Sequence, residues 1–125
     1  MSEQASRTFT NKSLTLVVKD TGDTLCVEWS GKSTAREPGR FVGPILQATV
    51  VQAGQKGRPV VFDFRAIEYM NSSTITPVIR VLDEAKRSNV HVEVLYSAEQ
   101  KWQELSFSAL QIFTGEGSPI SIRGA

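Results

Sequence analysis

The chain has 125 residues, of which 40% are hydrophobic and 22% charged, which suits one globular domain and argues against wholesale disorder. Fourteen basic against thirteen acidic residues give a net charge of +1, with no run of Lys or Arg dense enough to follow a nucleic-acid backbone. No apolar segment reaches the ~20 residues needed to cross a bilayer, and the polar start MSEQASRTFTNK has no hydrophobic centre of a signal peptide, so a cytoplasmic protein is expected.

In chain order, residues 1–12 carry little apolar content beyond Phe9 and read as a flexible tail, with the folded domain spanning 13–125. SLTLVVK and TLCVEWSG are β-prone and flank DTGD, whose Gly22 suits the turn of an antiparallel hairpin. The single cysteine, Cys26, lies in the second of these runs and reads as a small packed thiol. From Arg36 to Gly54, Val42, Ile45, Leu46, Thr49, Val50 and Ala53 recur at helical spacing, with the regular helix expected from near Pro44 and closed by GQKG.

RPVVFDF is an almost unbroken apolar run, the pattern of a central strand, and the carboxylate of Asp63 suits acceptance of backbone hydrogen bonds from a following RAIEYM loop. After the polar break NSST, Ile75, Val78, Ile79, Leu82 and Ala85 give a second helix ending near Ser88 or Asn89, with Asp83 and Arg87 as an i,i+4 pair. VHVEVLY alternates as a fourth strand. SAEQKWQELSFSAL opens with Ser97 and Gln100 at capping-box spacing and places Trp102, Leu105 and Ala109 on one helical face, while SPISIR suits a last short strand or an extended tail. The order β, β, α, β, α, β, α makes the class α/β: a mixed β-sheet with an N-terminal β-hairpin and about three packed helices, in which the third and fourth strands are parallel neighbours.

Catalytic patterns are thin. A hydrolase built on Ser72 or Ser73 needs a base, and the one histidine, His91, lies in an alternating strand. His91 and Glu93 are too few to ligate a metal, and neither a phosphate-binding glycine loop nor a CxxC pair occurs, so no enzyme activity, metal or cofactor is expected. The working part is read instead at Asn71, Ser72, Ser73 and Thr74, residues that cap helices and carry phosphate well. Pro77 then falls in a helix's first turn, with Ser73 or Thr74 as its cap. A plain helix cap accounts for the same four residues without any functional role.

The stretch VVFDFRAIEYMNSSTITPVIRVLDEAKRSNVHVEVL resembles the core of STAS domains, the fold of bacterial anti-sigma factor antagonists and of the cytoplasmic ends of sulphate transporters. Their pattern is an apolar strand ending in Asp, a short apolar loop, then Asp-Ser-Ser or Asp-Ser-Thr followed by Gly-Leu and a helix. Asp63 matches the strand Asp, Ile67 and Met70 the loop apolars, Asn71 the motif Asp, Ser72 the phosphorylated serine, Ser73 the second hydroxyl residue and Ile75 the apolar residue after it. WSG at Trp29–Gly31 and WQELSFSALQIF look like the family's second strand and third helix, so the resemblance spans roughly residues 13 to 113. Two residues depart from the pattern: Asn71 lacks the motif's charge, and Thr74 stands in place of glycine.

The resemblance implies a non-enzymatic interaction module of a bacterial partner-switching system. Its partner would be an anti-sigma factor or a serine/threonine kinase-like regulator, with phosphorylation at Ser72, or alternatively Ser73 or Thr74, as the switch and a phosphatase to reverse it. The partner surface implied is Asn71, Ser72, Ser73, Thr74, Thr76 and Arg80. A STAS-like scaffold or small-ligand-binding domain that is never phosphorylated is the other reading, and the change from Asp to Asn at position 71 favours it.

Overall fold

The computed structural model describes residues 5–125. Its elements are β1 (Ala5–Asn11), β2 (Leu14–Asp20), β3 (Leu25–Ser33), α1 (Gly39–Lys56), β4 (Val60–Met70), α2 (Ile75–Arg87), β5 (Val92–Tyr96), α3 (Lys101–Ser108) and β6 (Ile120–Gly124). Short 3-10 turns occupy Ser72–Thr74, leading into α2, and Ala109–Phe113, following α3. The six strands form one mixed sheet whose spatial order is the chain order, β1 to β6. β1, β2 and β3 are antiparallel neighbours, and β3 through β6 are parallel.

Alternation along the strands explains the layering. Leu25, Val27 and Trp29 of β3, Val60, Phe62 and Phe64 of β4, and Val92 and Val94 of β5 are buried. They form one core with Val42, Leu46, Val50 and Ala53 of α1, Val78, Val81, Leu82 and Ala85 of α2, and Phe107 of α3. The rings of Trp29, Phe64 and Phe107 lie in series at centroid separations of 4.5 and 4.7 Å. Trp29 belongs to this packing, but its Nε1–H is buried with no acceptor among the described residues.

Four expectations are corrected. Residues 5–11 of the expected tail are a strand: β1 pairs with β2 from Ala5↔Asp20 to Asn11↔Leu14, while residues 1–4 lie outside the described part. Its side chains from Ser6 onward are exposed or half-buried, so the strand is held chiefly by backbone hydrogen bonds, with Arg7 lying over the Phe9 ring; an edge strand of this kind lacks the apolar alternation that reveals strands in sequence. RAIEYM is not a loop but the second half of β4, paired to β3 through two register shifts. The helix α1 starts at Gly39 and carries Pro44 inside it; Gly57, in the left-handed region at φ 65°, donates to the Ala53 carbonyl and ends it.

The third helix starts at Lys101 without a Ser97 cap, and its core face is Gln103 and Phe107, continued by Leu110. Leu105 and Ile112 are 74% and 80% exposed. Gln103 is the reason. The pairing of β4 with β5 ends at Asp63↔Leu95, and the buried Gln103 takes over beyond it. Its Nε2 donates to the Phe64 and Ile67 carbonyls at 3.1 and 3.0 Å, and its Oε1 accepts the Ser97 N–H at 2.7 Å. A polar residue doing a missing strand's hydrogen bonding breaks the periodicity by which a helix face is recognised.

Candidate functional site

The far end of β4 leads into the serine loop, and two layers organise it. On the underside, Asn71 precedes the Ser72–Thr74 turn in extended conformation, and its Oδ1 accepts both the Thr74 N–H at 3.1 Å and the Thr74 hydroxyl at 2.8 Å. With its proton committed there, Thr74 Oγ1 receives the hydrogen bond of 2.7 Å that it shares with Ser33 Oγ. Asn71 Nδ2 donates to the Ala35 carbonyl at 2.8 Å, and the Asn71 N–H donates to the Ser33 carbonyl at 3.0 Å. The loop is thereby tied to the end of β3 and the segment leading to α1.

Thr74 is fully buried in this network. Its position corrects the expectation that it belongs to the partner surface or accepts phosphate, because a buried hydroxyl bonded on both sides is open to neither. Asn71 is half-buried and serves the loop from beneath. Ser72, Ser73, Thr76 and Arg80 are exposed, together with Ile79, while Pro77 and Val78 turn inward. Four of the six expected surface residues therefore share one outer face at the start of a helical stretch, whose free N–H groups favour negative charge.

Beside this face an open groove of about 750 Å³ runs between α1 and α2. Gly39, Gly43 and Gln47 line one wall and Ser73, Thr76 and Arg80 the other, with Arg36 also lining it. Gly43 has no positive φ, and a Cβ there would meet nothing within 4 Å outside its chain neighbours. It stands inside the helix directly before Pro44, where a Cβ would crowd the proline ring, so glycine eases that turn as well as leaving the groove without a side chain there. Gly31 differs: at φ 84° its Cβ would overlap the Ser13 carbonyl oxygen. The sequence reading missed this groove, whose one visible signal was the Gly and Pro content of residues 38–44.

The remaining polar candidates lie elsewhere. The His91 carbonyl accepts from Val60 N–H at the beginning of β4, roughly 30 Å of strand away from the serine loop. Asp63 accepts the Arg65 N–H at 3.0 Å and two guanidinium hydrogen bonds from the same residue, the structural role expected of it. Burial pushes this carboxyl up, but the Arg65 side chain and N–H outweigh that and hold it below the usual range. Burial, with Glu28 and Asp63 nearby, pushes the Cys26 thiol up to about 11, which leaves it un-ionised and unreactive near neutrality. Among the described residues no cluster of His, Cys, Asp and Glu could hold a metal ion, and no helix is long and apolar enough to cross a membrane.

No model of a known protein family matches the chain, and no curated protein matches it in sequence. Solved structures do match. An anti-sigma factor antagonist from Mycobacterium paratuberculosis superposes with TM-score 0.64 at 15% identity, covering 90% of this chain and 88% of that one. SiaC of Pseudomonas aeruginosa gives 0.61 at 16% identity over 97% and 99% of the two chains. A chain from the crystal structure of the diguanylate cyclase SiaD in complex with its activator SiaC, from the same organism, gives 0.66 at 16% identity over 95% and 99%. The protein thus has a STAS-like α/β fold. At these identities the likeness is one of fold.

Proposed function

We propose that the protein is a partner-switching interaction module of a bacterial signalling system, acting in the cytoplasm, not as an enzyme. Its outer face at Ser72, Ser73, Thr76 and Arg80 docks a regulator of the anti-sigma factor or serine/threonine kinase-like type. Phosphorylation of Ser72, reversed by a phosphatase, changes that docking, with Ser73 as the alternative acceptor. The observation that carries this reading is the division of the loop: Asn71 and Thr74 are fixed beneath it while Ser72 and Ser73 stand exposed. A phosphate adds roughly 1.5 to 2 negative charges, which a positive helix start tolerates and a docked partner meets directly. The fold shared with an anti-sigma factor antagonist and with the activator SiaC supports a regulator-type partner.

Mass spectrometry of the protein isolated from its own cells tests the switch. Stoichiometric phosphate on Ser72, with partner recovery lost in Ser72→Glu and kept in Ser72→Ala, is the expected result; an unmodified loop whose Ser72→Glu variant still binds overturns it. Asn71 favours a second reading, an unphosphorylated scaffold or small-ligand-binding domain, because its amide is committed to Ala35 and places no charge beside Ser72.

A further inference from the structure

We infer that the groove between α1 and α2 seats an acidic segment of the partner protein, whose carboxylates are received by Arg36 and Arg80. This rests on the reading of the Ser72 face as a partner surface and adds the chemistry of what docks there. At about 750 Å³ and open along its length, the groove is far larger than a single ion needs and admits several side chains of a peptide. Its cations are available. Arg40 is held by Glu37 at 2.6 Å, but among the described residues neither Arg36 nor Arg80 has an ion-pair partner, and both are exposed.

Arg36 stands on the segment before α1 and Arg80 on α2, and both line the groove, whose other charged residues are the paired Arg40 and Glu37 and the carboxylate of Glu84. Arginine's planar fork suits carboxylates in bidentate geometry. Glu84, lower on the α2 wall, opposes an acidic group at that end and so sets the direction in which a mixed-charge segment lies. Ser73 lines the same groove. Negative charge added at its rim repels an acidic occupant and competes for Arg80.

The test is to pan a phage-displayed dodecapeptide library on the intact protein and map the selected peptides by NMR chemical-shift changes. Peptides rich in Asp and Glu are expected, with shifts along α1 and α2 and affinity about tenfold weaker in both Arg36→Glu and Arg80→Glu. Gln47→Trp, which narrows the groove from the α1 wall without altering charge at an exposed helical position, should weaken binding comparably while the protein remains folded. Selection of no peptide, or of peptides without acidic residues, overturns the proposal, as does binding that survives Gln47→Trp. So does inorganic phosphate alone reproducing the full shift pattern, or self-association in sedimentation that Gln47→Trp abolishes. Acidic peptides that bind the groove with equal affinity in wild type and Ser72→Glu would leave the groove standing and remove the switch.

Discussion

The two layers of the serine loop are built from nearly the same chemistry, hydroxyls and an amide, yet they serve different ends. Beneath, Ser33, Asn71 and Thr74 form a closed set in which each polar group faces a partner. Outside, Ser72, Ser73 and Thr76 are open to solvent. Below Asn71, the arm of β4 that carries the loop has no β5 beside it and leans on Gln103. Burial, not residue type, therefore separates the groups that hold the fold from those left open to solvent. A buried group left unpaired costs far more than an exposed one altered.

The largest effect is expected from Gln103→Leu, which keeps the volume roughly and leaves the Phe64 and Ile67 carbonyls and the Ser97 N–H unpaired. A loss of about 2 to 4 kcal/mol in urea unfolding is expected, and a loss under about 0.5 would mean that the arm needs no such support. Asn71→Asp comes next. The carboxylate still caps Thr74 but sets an oxygen against the Ala35 carbonyl where an N–H donated, so a loss of about 1 to 3 kcal/mol should appear in the same experiment. A neutral result would show that the underside tolerates the charge found in the STAS motif.

A smaller effect, dependent on pH, belongs to Asp63. Its folded-state pKa lies below the usual carboxylate value, so its pairing contributes stability above the unfolded value and loses it as pH falls through the folded one. Arg65→Met should lower the urea midpoint at pH 7, with the gap to wild type closing under acid; a gap constant with pH would assign the arginine a packing role instead. The smallest change is expected on the outer layer. Ser72→Glu should leave stability within about 0.3 to 1 kcal/mol of wild type, in the favourable direction. Unfolding at room temperature would place the serine in the underside and erase the distinction between layers.

The central strand, α2 and the parallel pairing of β4 with β5 were legible in the sequence because their apolar residues recur at the strand or helix period and face the core. β1 was not, since an edge strand with exposed side chains has no such period. The face of α3 was misread because Trp102, Leu105 and Ala109 have helical spacing, whereas the residue the core needs there is a glutamine. At the site, the exposed serines were recognisable from their position before a proline-bearing helix. The role of Thr74 was not, because Ser33, its partner, lies 41 residues away and nothing local in the sequence signals the pair.

The identity of spatial and chain order in the sheet bears on how the protein is made. Each strand is added to the edge left by the one before, so no strand must be inserted between two already in place, and the sheet can lengthen in step with synthesis from the N-terminus. The serine loop is the exception to that progression. Its residues emerge soon after the middle of the chain, but the carbonyls of the arm beneath it wait for Gln103, 36 and 39 residues downstream of Ile67 and Phe64. The strand arm under the surface proposed to bind partners thus lacks these two hydrogen bonds until α3 has docked.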